Sequence, residues 1–227
     1  MKTATLEQFE KLMAVVLDKV RGMPSEQMQA LLESGALSDV FDANFNDFDR
    51  EAHRKVLGLK PLNPPAPPLL IAVGTATVVA TTNPFVVRDR IVVNTKKNAP
   101  VKISFVSDYF KECFYDKTEE AFGGSTLNYG KLSRSSVDGP IIAELGGEAK
   151  AETTVAEVYA LMEAQKNGEN GSLLTNGYAN IFYVRDAKGV LRAVGVRWYG
   201  DGWSVLAIDV ADPDAWRVGR RVFSRNS

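Results

Sequence analysis

The chain has 227 residues, of which 45% are hydrophobic and 24% are charged, and its formal net charge is −1. This is the composition of an ordinary globular protein, with one large domain or one domain and a small appendage. A nearly neutral charge argues against nucleic acid as the main partner, because a phosphate backbone requires a basic surface.

Targeting signals are not evident in the sequence. The N-terminal segment MKTATLEQFEKLMAVV is amphipathic and lacks the continuous apolar region of a secretory signal. The longest apolar run, Leu69–Ala80, is too short to cross a bilayer. Cys113 is the single cysteine, which excludes a disulfide within the chain. We therefore expect no membrane span and a cytoplasmic location by default, with surface display left open.

Residues 1–60 are predicted to form a helical N-terminal region. Thr5 with Gln8 matches a capping box, and apolar residues follow at helical spacing as far as Val20. Ser25 is predicted to cap a second helix, and a third is expected from about Asp47 to Leu57. Such a region would form a small subdomain or join copies of the chain into a homo-oligomer.

A proline-rich connector is predicted after these helices. The segment KPLNPPAPPL, Lys60–Leu69, contains five prolines, which favour polyproline II and oppose helix. The predicted boundaries are residues 1–60 for the helical region, 61–69 for the connector and 70–227 for a second domain.

After the connector, the pattern changes to the alternation that is typical of β-strands. The segments TATVVA (75–80), FVVRDRIVV (85–93) and VKISFV (101–106) are rich in β-branched and aromatic residues. Val101, Ile103 and Phe105 are expected on one buried side of the last of these. The glycine-rich FGGSTLNYG (122–130) lacks the ending of a phosphate-binding loop and is predicted to be an ordinary loop.

One helix and a group of terminal strands complete the predicted elements. Thr154 with Glu157 matches a second capping box, followed by an apolar stripe. The segment from Ala179 to Val210 reads as three strands joined by turns at DAKG and YGDG. The predicted class is therefore α+β, with antiparallel strands near the C-terminus.

The sequence offers few residues for catalysis or metal binding. His53, the single histidine, is expected on a solvated helix face, and Cys113 is expected to be a core or boundary residue without a nearby histidine base. Aspartates near the C-terminus could donate oxygens to calcium, but their spacing does not match an EF-hand, so turn and surface roles are favoured. We expect no metal and no cofactor, and a carboxylate-based hydrolase is only a lesser alternative.

The predicted hairpin of residues 194–208 has two unlike faces, because side chains alternate along a strand. The face expected in the core carries Val194, Val196, Trp198, Trp203, Val205 and Ala207. The opposite face carries Gly195, Arg197, Tyr199, Ser204, Leu206 and Ile208. Apolar and aromatic groups mixed with arginine are typical of a binding surface. The alternative is that another layer, such as the helix of residues 154–166, covers this second face.

The composition of the C-terminal segment is unusual. Residues 194–227 contain no Lys, Glu, Gln or Met, although these four types make up 37 of the 193 residues before them. The same segment contains five Arg and four Asp, so it is not simply uncharged. Codons ending in C or T cannot encode these four types, whereas they can encode every residue of the second face. They cannot encode Trp either, and the three tryptophans of the segment lie at positions expected to be scaffold.

The segment LRAVGVRWYGDGWSVLAIDVADPDAWRVGRRVFSRNS resembles the variable region of diversity-generating retroelement proteins. AELGGEAKAETTVAEVYALM and LLTNGYANIFYVRD resemble the scaffold upstream of that region in the same family. The resemblance implies a C-type lectin-like domain whose last strands display residues diversified by adenine-directed copying errors, with a variable region at about residues 194–221. The frame that it implies consists of Trp198, Gly202, Trp203, Pro213, Trp216, Gly219 and the ending Val222–Asn226, which includes Phe223.

The resemblance also implies which positions vary and bind the ligand. They are Gly195, Arg197, Tyr199, Gly200, Asp201, Ser204, Leu206, Ile208, Asp209, Asp212, Asp214, Arg217, Val218 and Arg220. We expect a non-catalytic, hypervariable ligand-binding protein whose ligand is a protein. Tyr199, Arg197 and Arg217 are expected to dominate binding, because Tyr and Arg are common hot-spot residues. The alternative is a phage or cell-surface adhesin with a similar domain that does not vary.

Overall fold

The computed structural model describes residues 5–42, 49–60 and 67–225, without the side chains of Phe41, Asp42 and His53. The chain divides into two units, Met1–Pro65 and Ala66–Ser227. The expectations for Asp47, for residues 61–66 of the connector, for the His53 side chain and for Asn226 lie outside the described residues.

The first unit is helical. The helices of its described residues are α1 (Leu6–Val20), α2 (Ser25–Glu33), α3 (Ala36–Asp42) and α4 (Arg50–Val56). The capping box of Thr5 and Gln8 is confirmed at the start of α1. The prediction that Ser25 caps α2 is wrong, since Pro24 is the N-cap residue and Ser25 begins the helix. The fixed φ of proline suits the extended backbone that an N-cap requires.

Helices α1 and α2 bury no residue. Apolar side chains of α1 are exposed, among them Leu6, Phe9 and Met13. The expectation that this region joins copies of the chain stays a prediction.

The second unit combines strands and short helices. Its strands are β1 (Leu70–Val78), β2 (Phe85–Val86), β3 (Ile103–Val106), β4 (Thr118–Glu119), β5 (Ser125–Leu132), β6 (Glu152–Thr153), β7 (Asn180–Arg185), β8 (Leu191–Trp198), β9 (Trp203–Asp209) and β10 (Arg221–Arg225). Its helices are α5 (Val87–Arg90), α6 (Asp108–Phe114), α7 (Asp138–Glu144), α8 (Glu148–Ala151) and α9 (Val155–Ala164). No helix among the described residues of either unit is long and apolar enough to cross a membrane.

One large sheet organises the second unit. Its strands lie in the order β1-β5-β10-β7-β8-β9-β3, and β6 pairs with β7 outside this path. Neighbours are antiparallel except for the pairs β10–β7, β9–β3 and β6–β7. Strands β2 and β4 form a separate antiparallel pair. The predicted α+β class with antiparallel strands is confirmed at this level.

Apolar layers cover both faces of the sheet. The first core joins α5, α6 and α9 to one face and contains Phe110, Met162 and Phe223. The second core joins α7, α8 and Trp216 to the other face and contains Tyr183. Each strand of the centre therefore alternates between two buried environments.

Helix α9 is fixed by carboxylates at its N-terminus. The predicted capping box of Thr154 and Glu157 is confirmed. The buried carboxylate of Glu119 also accepts hydrogen bonds from the backbone N–H groups of Val155 (3.0 Å) and Ala156 (2.7 Å). Lys117 Nζ lies 3.0 Å from Glu119 Oε1 and neutralises its charge. These bonds satisfy N–H groups that have no partner inside the helix.

Three predictions for the strands are corrected. The segment 85–93 is a strand only over Phe85–Val86, and the helical turn α5 follows. Val87 and Ile91 are four residues apart, so a helical turn buries both side chains on the same side. Phe105 is 53% exposed, because a register shift against β9 between Ile103 and Phe105 breaks the alternation. The segment 122–130 contains most of β5, which lies between β1 and β10 and obtains its hydrogen bonds from both.

Replacing Glu119 by Gln should destabilise the second unit. The substitution removes the negative charge and turns one acceptor into a donor facing a helix N–H, so we expect the free energy of unfolding to fall by about 1–3 kcal/mol. Urea denaturation followed by circular dichroism measures the change. The exposed neighbour Glu120→Gln is the matched control, and its change should stay within about 0.5 kcal/mol. Equal effects of the two substitutions would contradict this role of Glu119.

Candidate ligand-binding groove

The terminal hairpin of β8 and β9 turns one face into the first core. Trp198 pairs with Trp203 in the strand register, and their rings meet edge to face with centroids 5.3 Å apart. The six side chains expected on this face are all buried. Helix α9 packs in the same core, so it covers this face and not the opposite one. The indole Nε1 of Trp203 is buried without a hydrogen-bond acceptor.

The opposite face of the hairpin is partly covered, which corrects the expectation of a face open to water. Gly195 is buried, and an added Cβ there would lie 3.1 Å from Leu206 Cδ1 and 3.4 Å from the Trp216 ring. Ser204 is only 6% exposed. Leu206 and Ile208 are half-buried against the second core. Part of the cover comes from Trp216, which belongs to the segment after β9.

Trp216 attaches that segment to the rest of the unit. Its backbone exchanges two hydrogen bonds with Ser136, at 2.8 and 3.0 Å. Its indole Nε1 donates a 2.7 Å hydrogen bond to Asp138 Oδ1, and Tyr183 Oη donates another of 2.7 Å to the same oxygen. Asp138 is 1% exposed. One buried carboxylate oxygen thus fixes both a side chain of the sheet and the covering segment.

Burial controls the ionisation of this pair of groups. It raises the pKa of the Asp138 carboxyl above its ordinary value of 3.8, and nearby Asp212 adds to the shift, whereas the two hydrogen bonds oppose it. Burial and the adjacent Asp138 also raise the pKa of Tyr183. The phenol therefore stays protonated and remains a donor to Asp138.

A groove of about 490 Å³ lies between the second face of the hairpin and the segment that Trp216 attaches. Its volume is that of a site for a small molecule or for one or two side chains of a larger partner. The lining includes seven of the predicted variable positions, namely Arg197, Ile208, Asp209, Asp212, Asp214, Arg217 and Arg220. Tyr109, Asp138 and Trp216 line it as well.

The other seven predicted variable positions do not line the groove. Tyr199 and Val218 are 57% and 52% exposed. Gly200 and Asp201 form the exposed hairpin turn, where Gly200 has a φ of 87°, a value that favours glycine. Gly195, Ser204 and Leu206 belong to the covered part of the face.

Most of the predicted frame residues are closely packed, whereas Pro213 and Arg225 are exposed. Trp198, Trp203, Trp216 and Phe223 are buried. An added Cβ on Gly202 would lie 2.9 Å from the Ser104 backbone nitrogen, so only glycine fits there without a shift. Gly219 has a φ of 90° and its N–H donates to the Leu132 carbonyl.

The aspartates of the groove are engaged in turns and one ion pair. Asp209 Oδ2 lies 2.7 Å from Arg192 Nη1, and Asp209 Oδ1 accepts a hydrogen bond from the Ala211 backbone. Asp212 Oδ1 accepts one from the backbone N–H of Asp214. Over residues 5–42, 49–60 and 67–225, no three His, Cys, Asp or Glu side chains are placed to share a metal ion.

Three arginines line the groove, and none of them forms an ion pair with another described residue. Arg197 and Arg220 are half-buried and Arg217 is exposed. Burial and the positive charges of Arg197 and Arg217 lower the pKa of Arg220. The rings of two tyrosines lie close, since the Arg220 guanidinium is 6.0 Å from the centroid of Tyr178 and Arg197 Nη1 is 3.5 Å from Tyr199 Oη.

Asp138, Tyr109 and Tyr178 were not predicted as site residues. Asp138 is 78 residues from Trp216 in sequence and Tyr109 is 83 residues from its partner Arg192. No motif joins these positions, and the local pattern SSVDGP around Asp138 indicates only a turn. Their proximity to the groove arises from the order of strands in the sheet.

No protein-family model matches the chain, and no curated protein or solved structure is significantly similar to it. The chemistry of the groove residues is therefore the basis for any functional assignment.

Asp138→Asn should change how stability depends on pH. A carboxyl with a raised pKa in the folded state contributes stability that is fully present below its unfolded pKa and is lost as the pH rises through the folded pKa. The free energy of unfolding of the wild type, minus that of Asp138→Asn, should therefore be larger at about pH 3 than at about pH 6. Urea unfolding at a series of pH values measures this difference.

The control for this experiment is Asp201→Asn, which changes an exposed carboxyl in the hairpin turn. Its stability difference from the wild type should show much less pH dependence. A difference for Asp138→Asn that does not vary with pH would show that the buried carboxyl does not titrate as inferred.

Proposed function

We propose that the chain is a non-catalytic, hypervariable ligand-binding protein diversified by a retroelement, and that its second unit is a C-type lectin-like scaffold. The observation that carries this proposal is the groove, because seven positions expected to vary line one depression at the end of the sheet. The ligand is a protein, since exposed Tyr199 and Val218 extend the groove into a broader mixed surface.

The separation between frame and groove supports variation without loss of the fold. Trp198 and Trp203 hold the hairpin from the first core, and Trp216 holds the covering segment from the second. Substitutions at exposed Tyr199, Arg217 or Val218 touch neither anchor and should change stability by about 0.5 kcal/mol or less. The ligand can therefore change while the backbone of the site stays in place.

The covered positions act differently in this proposal. A side chain larger than hydrogen at Gly195 would press on Leu206 and the Trp216 ring. Such a substitution would shift Leu206 or Trp216 and so change the shape of the groove without contacting the ligand. Ser204, which is also buried, would act in the same indirect way.

The contacts that the groove carboxylates make within the protein favour a binding role over hydrolysis. Asp209 is paired with Arg192, and Asp212 accepts a backbone hydrogen bond in its own turn. Asp138 is occupied by Tyr183 and Trp216 through one oxygen. The single histidine of the sequence, His53, belongs to the first unit. These carboxylates therefore stabilise the walls of the groove in our proposal.

The gene and its flanking DNA test the diversification. We expect a reverse transcriptase gene nearby and a near-repeat of the last part of the gene that differs from it only at adenines of the repeat. The codons of the fourteen variable positions should end in C or T. Codons ending in A or G at these positions, or a flank without the repeat, would contradict diversification and favour an adhesin with a fixed groove.

A pair of display libraries tests the binding surface. The first randomises the exposed positions Tyr199, Asp201, Arg217 and Val218, and the control randomises four exposed positions away from the groove, Asp116, Glu120, Lys188 and Val190. Selection against a panel of folded proteins should yield binders at least about tenfold more often from the first library, because its residues converge around a depression. Equal yields from both libraries would contradict a specialised binding site.

A further inference from the structure

The arginines of the groove have hydrogen-bonding capacity that the protein does not use. The Nε atoms of Arg197 and Arg220 are buried and have no hydrogen-bond acceptor among the residues that the structure describes. Buried polar groups nearly always have a partner, so each such atom requires an explanation. Both side chains line the same groove as Arg217, which suggests that the acceptor is a ligand group.

The three arginines also lack direct ion pairs. Within the part of the chain that the structure describes, none of them forms an ion pair within 4.0 Å. Four other arginines of the unit do form ion pairs, among them Arg192 with both Asp186 and Asp209. Holding three like charges around one depression costs free energy, and a bound anion would recover it.

We propose that Arg197, Arg217 and Arg220 form a subsite for a carboxylate of the protein ligand, that is, for an Asp or Glu side chain. This inference rests on the proposed binding function and adds the chemistry of the group that is bound. A guanidinium presents its N–H donors in a planar fork that matches a carboxylate. Tyr199 Oη, next to Arg197, is placed to add a neutral donor.

The charge pattern of the groove favours a carboxylate over a phosphate. Asp209, Asp212 and Asp214 line the same groove as the arginines. A phosphate group carries close to two negative charges at neutral pH and would be repelled more strongly by these aspartates than a singly charged carboxylate. The aspartates would in turn accept a cationic side chain of the ligand beside its carboxylate. The groove therefore fits a protein segment with neighbouring acidic and basic residues. The acidic residue would lie against the arginines and the basic residue against the aspartates.

A peptide titration of the full-length chain tests this subsite. The probe is a capped peptide of three glutamates followed by three lysines, and its binding is measured by NMR or thermophoresis at a constant ionic strength of about 0.15 M. We expect saturable binding, and an affinity at least about tenfold weaker for both R217Q and R220Q. Arg217 is exposed, so R217Q keeps the test valid if R220Q does not fold. K188Q removes the same charge from an exposed turn away from the groove and should change the affinity by about twofold or less.

Competition distinguishes the two sources of negative charge. Acetate, which carries a single carboxylate, should displace the peptide at lower concentration than inorganic phosphate does, and the opposite order would overturn the assignment to a carboxylate. Absence of binding to the wild type, or equal losses in R217Q and K188Q, would overturn the subsite itself.

The outcome for the subsite is separable from that for the proposed function. If the peptide does not bind while the groove library yields binders and the gene has its repeat, only the arginine subsite is wrong. If the peptide binds through these arginines while the flanking DNA lacks a repeat, the subsite stands and diversification is wrong.

Discussion

The hydrogen bond from the Trp216 indole to buried Asp138 is the interaction on which the candidate site depends. It holds the segment after β9 against the sheet, where the backbone bridge to Ser136 aligns it. The same carboxylate oxygen accepts from Tyr183 of β7, so the segment is attached to the centre of the sheet. Without this attachment the second face of the hairpin would be uncovered, and the groove would lose one of its two walls.

The hairpin can carry a variable surface because its two faces have separate environments. The Val and Trp side chains of one face belong to the first core, which α9 and α6 complete. The other face meets the second core only in part, through Leu206 and Ile208, and then opens into the groove. The strands are stabilised mainly from the first side, and the exposed side chains of Tyr199, Arg217 and Val218 lie outside both cores. This division is what a scaffold for exchangeable contacts requires.

The charged residues of the groove differ in how far the protein satisfies them. Asp209 and Asp212 are used in an ion pair and in turns, so they shape the covering segment. The Nε atoms of Arg197 and Arg220 are buried without an acceptor, and Arg217 adds a third charge nearby. An acidic contact satisfied inside the protein contributes to the fold, whereas a basic group left unsatisfied is available for a partner. This asymmetry is the basis of the proposal that an acidic side chain of the ligand binds at the arginines.

The sequence by itself determined the features whose partners are close along the chain. The capping boxes of Thr5 with Gln8 and of Thr154 with Glu157 join residues three positions apart. The two faces of the hairpin of residues 194–208 follow from the alternation of side chains along a strand. Tertiary structure alone decided that the glycine-rich segment 122–130 becomes a strand between β1 and β10, and that Asp138 meets Trp216. It also decided that Gly195 is covered. The reason is physical: these outcomes depend on groups tens of residues away, which no local pattern of hydrogen bonds or hydrophobicity encodes.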